Sequence, residues 1–163
     1  MAEVTVELYP ASPLDAGEIL TVQRAAFVTE AQVYGDPSIP PLIQTLSDLE
    51  RELRAGTALK ALVGPRLVGA IRGRTEGHTF HVGRLAVAPD MQGRGIGTRL
   101  LADLEKQVAL DVARFELSIG SLSLPHLRIF ERSGYHEFRR ERMHSNLEWV
   151  FMEKPSPGAA SGL

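Results

Sequence analysis

Cysteine is absent from the 163-residue chain, and that single absence excludes disulfides, thiolate zinc sites and a cysteine nucleophile. No apolar stretch approaches the roughly 18 residues that a membrane span requires, so no contact with a membrane is expected. An excess of charge of either sign is missing too. The formal net charge is -2, which gives no global electrostatic case for nucleic-acid binding, and any anion site must be local. The opening MAEVTVELYP lacks the basic start and long apolar core of a secretory signal, and a cytoplasmic setting is the resulting expectation. What is present is globular: 44% hydrophobic and 23% charged residues, in a length that suits one domain with its own core.

Alternation of Val4, Val6 and Leu8 with polar residues predicts a first strand ending before Pro10. Asp15 offers a cap for a helix through Ile19, Val22, Ala26 and Phe27, whose tail FVTEAQVYGDPSIPP reads as a proline-rich loop. Leu46, Leu49 and Leu53 predict a second helix stopped by Gly56. Strands over 59–63, 67–72 and 78–88 follow with short connections, which implies antiparallel hairpins. Ile96, Leu100, Leu101, Leu104 and Val108 share one helical face, and Phe115, Leu117 and Ile119 alternate as a strand. That crossover is long enough for a parallel pair. A short helix from Pro125 to a Gly134 cap and a hairpin of strands over 135–142 and 147–152, turning at His144-Ser145-Asn146, complete a domain over 1–154. Residues 155–163, PSPGAASGL, read as a disordered tail.

The feature that propensity does not explain is LAVAPDMQGRGIGT, with glycines at 93, 95 and 97. Each glycine inside a regular element costs about 0.5–1 kcal/mol relative to alanine, so a cluster marks a sharp turn or a close approach. Entry to a helix through glycines makes a site for phosphate, because first-turn N–H groups are free and carry roughly half a positive charge. The P-loop pattern fails for want of a lysine after Gly97, and the dinucleotide fingerprint fails at Thr98 and for want of a preceding parallel unit.

Read as Q-x-x-G-x-G, Gln92 to Gly97 after the strand ending Leu85-Ala86-Val87-Ala88-Pro89 resembles the signature of the GCN5-related N-acetyltransferase superfamily, and the order of elements resembles its fold over nearly the whole chain. The resemblance implies an α/β (α+β) fold with a mixed, mostly antiparallel central sheet of about seven strands and about four helices. It implies a transferase that moves acetyl from acetyl-CoA to a primary amine by direct attack in a ternary complex, with no metal and with a small-molecule amine as the first choice of acceptor. Main-chain N–H groups of Gly93, Arg94, Gly95, Ile96, Gly97 and Thr98 would face the coenzyme A diphosphate, with Gln92 and Arg94 as side-chain donors and Gly95 and Gly97 permitting the approach. The pantetheine arm would lie along Leu85, Ala86 and Val87, the Val87 N–H binding the oxyanion. Ser123 and Phe130 fall where the family lines its cofactor. Homodimers are common among chains that resemble this one.

A lysine-like amine is less than about 0.1% neutral at pH 7, so a base is needed. By the same resemblance His81, six residues before Val87, is the candidate, with His78 the lesser one. Glu30 and Tyr34, read in the loop after the first helix, fall where acceptors bind. The family's usual acid is a tyrosine in L-Y-x-x-x-G-[FY]; here that position holds Phe130, which has no proton to give. The coenzyme A thiolate would take its proton from water or from Ser121 or Ser123. A protein or peptide acetyltransferase, and an acyl-CoA-binding regulatory domain without turnover, are the alternatives.

Overall fold

A computed structural model describes residues 4–144 and 147–158. In chain order it comprises β1 (Glu7–Pro10), α1 (Ala16–Tyr34), α2 (Pro40–Ile43), α3 (Leu46–Ala55), β2 (Thr57–Val63), β3 (Arg66–Glu76), β4 (Thr79–Val87), α4 (Ile96–Val108), β5 (Arg114–Gly120), α5 (Leu124–Arg132), β6 (His136–His144) and β7 (Leu147–Pro155). The seven strands form one sheet in the order β1-β2-β3-β4-β5-β7-β6. Only β4 and β5 pair in parallel, across the α4 crossover. The mixed, mostly antiparallel sheet expected from the sequence is the one observed.

Both sheet faces are covered. On one, Leu100, Leu101 and Leu104 of α4 pack on Phe80, Val82 and Leu85 of β4 and on Phe115 and Leu117 of β5. On the other, Ile19 and Leu20 of α1 and Leu49 and Leu53 of α3 pack on Ala58, Leu67 and Ala70. Arg72 of β3 lies buried on that second face. Its guanidinium donates to Glu52 (2.5 Å), Gln23 (3.0 Å) and Gln44 (2.9 Å), tying α1, α3 and the segment after α2 to the sheet. A buried cation is tolerable on these terms because each of its three nitrogens has an acceptor.

The first strand spans Glu7–Pro10, later than expected, and three larger differences follow. The first helix does not break at Phe27; it runs to Tyr34 and stops at Gly35, whose φ of 63° makes the left-handed cap that ends helices. Glu30 and Tyr34 therefore stand on the helix and not in a loop. A fifth helix, α2, begins on Pro40 within the segment read as loop, proline being well suited to a first turn. At the other end Ser156 is buried, its N–H donating to Ala113 (3.0 Å) and its Oγ to Ala109 (2.6 Å), so the packed domain continues through the start of the segment read as a tail. Residues 159–163 of that segment, and Ser145 and Asn146 of the expected turn, lie outside the described residues. No helix among the described residues is long and apolar enough to cross a membrane.

β4 and β5 pair only at Thr79–Arg114, Phe80–Phe115 and His81–Glu116 and then part. The parting follows a bulge. Between Ile71 and Gly73 of β3 the partner strand advances from Leu85 to Val82, so β4 carries one extra residue at Gly83 and Arg84. Such an insertion bends a strand and increases its twist, which carries the second half of β4 away from its neighbour.

Candidate functional site

The parted strands open a cleft of about 490 Å³, within the usual size of a small-molecule site. One wall is the free edge of β4. Ala88 N–H donates to Val68 across the β3 side (2.8 Å), and by the alternation of an antiparallel ladder the N–H and C=O groups of Leu85 and Val87 turn the other way, into the gap. Val87 lines the cleft, and its carbonyl accepts from Gln92 Nε2 (3.0 Å). Gln92 thus braces the strand end, where a role as a free donor was expected.

The floor is the glycine turn. Gly93 and Gly95 have φ near +79° and +78°, a left-handed backbone that costs other residues roughly 1–2 kcal/mol, and a Cβ at either would meet nothing within 4 Å. These two glycines serve the dihedral and face open space. Gly97 serves packing: a Cβ there would stand 3.3 Å from Ile129 of α5 and 3.6 Å from Leu85. Gly95 caps α4 without a side-chain bond, and no main-chain acceptor is present for the N–H groups of Ile96, Gly97 and Thr98 among the described residues. A diphosphate fits such an end, which supplies donors and positive potential together.

Gln92, Gly93, Gly95, Ile96, Gly97, Thr98, Leu85, Val87 and Ser123 all line this cleft. Three expected cofactor residues do not. Ala86 is buried on the other face of the sheet, paired with Ala70. Arg94 is exposed outside the lining. Phe130 is 4% exposed and packed edge-on to Tyr135, 5.7 Å away. Two cations that sequence reasoning passed over, Arg128 and Arg132, stand on the α5 wall instead; their i,i+4 spacing on a short helix was the available signal.

A second, smaller cavity of about 140 Å³ opens on the α1 side of the gap, lined among others by Tyr34, Arg84, Gly120 and Trp149. The two spaces share Phe27, Glu30, Leu85, Ser123 and His126, and so meet at this group. Phe27, Glu30 and Tyr34 reach it because i, i+3 and i+7 fall on one helical face. Tyr34 Oη accepts the Leu122 N–H (3.1 Å) and lies 2.9 Å from Ser123 Oγ, which donates to Glu30 Oε1. Burial pushes the Glu30 carboxyl up to about 7, against the opposing pull of the Arg84 charge. Burial likewise lowers His126 below its ordinary value, leaving the imidazole neutral. Its ring stacks on Phe27 (5.5 Å), and its Nε2 donates to the Leu85 carbonyl (3.2 Å). A carboxyl that ionises near neutrality beside two hydroxyls is equipped to take and return a proton.

His81 is not in this group and lines neither space. It lies before the strands part, its ring between Glu76 (3.6 Å) and Glu116 (3.4 Å). Six residues of strand put it about 20 Å from Val87. His78 sits in the turn between β3 and β4, its carbonyl accepting from Ala113 (2.7 Å).

A family model described as an acetyltransferase (GNAT) domain matches residues 40–156. The UPF0157 protein YqkA of Bacillus subtilis (strain 168) is 28% identical over 122 residues, covering 74% of this chain and 34% of that protein, so the chain spans about a third of the length of this curated relative. Among solved structures, the PaiA N-acetyltransferase of Thermoplasma acidophilum in complex with coenzyme A superposes with a TM-score of 0.79 at 20% identity, over 93% of this chain and 99% of that one. The ribosomal-protein-S18-alanine N-acetyltransferase of Escherichia coli does so with a TM-score of 0.80 at 14% identity, over 98% and 99%.

Proposed function

Because the chain belongs to the GNAT acetyltransferase family, we propose that it transfers acetyl from acetyl-CoA to a small primary amine, with Glu30 rather than His81 as the base. The observation that carries this reading is the meeting of the two spaces at Glu30, Ser123 and His126. One space has the size, free strand edge and donor-rich turn for a pantetheine diphosphate; the other is small and holds the titratable carboxyl. The likeness to a chain crystallised with coenzyme A supports the same assignment.

Bound acetyl-CoA supplies a thioester, whose carbonyl carbon is the electrophile. The N–H groups of residues 93–98 hold the diphosphate, with Arg128 and Arg132 adding charge at the wall. The outward N–H groups of Leu85 and Val87 align the arm as an added strand, and one of them receives the oxyanion. Glu30 takes the proton that the attacking ammonium must lose. Ser123, already bonded to Glu30 and Tyr34, returns a proton to the departing thiolate and fills the role that Phe130 cannot. The narrow inner cavity favours a small amine over a folded protein surface.

Titration calorimetry with acetyl-CoA tests the cofactor side. Wild-type protein should bind, and Gly95→Glu, which sends a carboxylate into the open space above the turn, should not bind while keeping its circular dichroism. Equal affinity in both proteins would remove the diphosphate from the turn. Absence of free coenzyme A release across a panel of amines, with binding intact, would make the domain a binding module.

A further inference from the structure

Two arginines of the central strands, Arg72 buried and Arg84 half-buried, differ in how they are satisfied. Arg72 spends its donors on Glu52, Gln23 and Gln44. Arg84, on the bulge of the next strand, has no hydrogen bond or ion pair among the described residues. Its Nε is enclosed and without a partner among the described residues, and the Phe27 ring lies 5.8 Å from the guanidinium carbon. Burial and the Arg72 charge lower its affinity for its proton to about 10, still far above neutrality, so the group is a cation. An enclosed, charged, unpaired donor is costly unless something else completes it.

Arg84 lines the inner cavity together with Glu30, and no ion pair joins the two. One small space therefore presents a carboxyl and a guanidinium that feel each other's charge without touching, which complements a ligand carrying an amine and an anion a few bonds apart. Its volume of about 140 Å³ is close to the roughly 150 Å³ of a cavity that holds benzene, room for about six to ten non-hydrogen atoms. Ile39, Leu117, Leu147 and Trp149 give the wall an apolar part, beside Tyr34, Asp36, Ser118 and His144.

We propose that the acceptor is a small apolar amino acid, its carboxylate held by Arg84 and its amine presented to Glu30. This rests on the acetyltransferase reading and names its substrate class. The amino nitrogen forms the new bond to the thioester carbon, the carbon–sulfur bond breaks, the amine proton passes to Glu30, and coenzyme A leaves as the thiol after protonation. The product is an N-acetyl amino acid, which retains the carboxylate on Arg84 but has lost the basic amine.

The test compares matched acceptors: leucine with isoamylamine, and alanine with ethylamine, each pair differing by the carboxylate. Coenzyme A release should show kcat/KM higher for the amino acid by roughly 100-fold or more, because a site built for an anion leaves its donor stranded when the anion is missing. Arg84→Gln should reduce that preference to about threefold or less, and Arg84→Lys should restore part of it. The wild-type comparison stands alone if Arg84→Gln does not fold. Turnover of the plain amines equal to that of the amino acids would overturn the proposal and leave the acetyltransferase reading in place. Failure of acetyl-CoA to bind would sink that reading instead. Leucine titrated into the chain alone would then judge the Arg84 site: heat with leucine but not isoamylamine, lost in Arg84→Gln, supports it, and no heat overturns it.

Discussion

Replacement of Glu30 by glutamine separates catalysis from stability, because the two respond to the same proton with opposite signs. Burial raises the carboxyl from its ordinary 4.5 to about 7 in the folded chain, so folding favours the protonated form. The stabilisation is complete below 4.5 and is lost as pH rises through 7. At 1.36 kcal/mol per pH unit this span corresponds to roughly 3 kcal/mol. The carboxyl is only partly buried, and solvent screening reduces the effect to about 1–2 kcal/mol. Glutamine has the shape of the protonated acid and never ionises. Urea unfolding should therefore give near-equal stabilities at pH 4.5 and a gap of about 1–2 kcal/mol in favour of Glu30→Gln at pH 8, equivalent to roughly 2–8 °C in Tm for a chain of this size. The same variant should lose about 100-fold or more in rate and the inflection of kcat/KM near pH 7. A stability difference that does not change with pH would refute the raised carboxyl, and a variant with the wild-type pH–rate profile would remove Glu30 from proton transfer.

Two further substitutions test residues that the sequence and the structure assign differently. His81→Ala should leave kcat/KM within about twofold, since the ring stands between Glu76 and Glu116 and lines neither space; a loss of tenfold or more, measured as coenzyme A release, would return it to the mechanism. Phe130→Tyr restores the family's tyrosine but places a hydroxyl where the ring is 4% exposed and packed on Tyr135 and His126. It should destabilise by about 1–3 kcal/mol in urea without raising the rate, and a faster enzyme of equal stability would show that the pocket can still use an acid there.

The parts of the fold legible in the sequence are those governed by a single local rule. Leu46, Leu49 and Leu53, and Ile96 to Val108, repeat at helical spacing and form α3 and α4. The glycine turn was legible because no residue with a Cβ accepts φ near +79° without strain. The end of α1 was misread because Pro37 and Pro40 drew attention from Gly35, whose left-handed cap comes first. In the inner cavity, Arg84 and His126 carry no motif. Their importance comes from what surrounds them, a cavity and an unfilled hydrogen bond in one case and Phe27 and the Leu85 carbonyl in the other, and such surroundings exist only after the chain has packed.

The separation of His81 from both spaces has one physical cause, and that cause also opens the cleft. In an unbroken strand, residues six apart point to the same face, so His81 and Val87 would share one. The extra residue at Gly83 and Arg84 reverses that parity. Val87 pairs with Gly69 and His81 with Arg74, and positions 69 and 74 of β3 lie on opposite faces. The same insertion ends the β4–β5 pairing after His81, frees the edge of Leu85 and Val87, and sets Arg84 in the wall of the inner cavity. Had β4 been regular, its edge would have continued to pair with β5, and no gap would have joined the two spaces. One inserted residue thus accounts for the cleft, for the cation that has no partner among the described residues, and for the absence of His81 from the lining of either space.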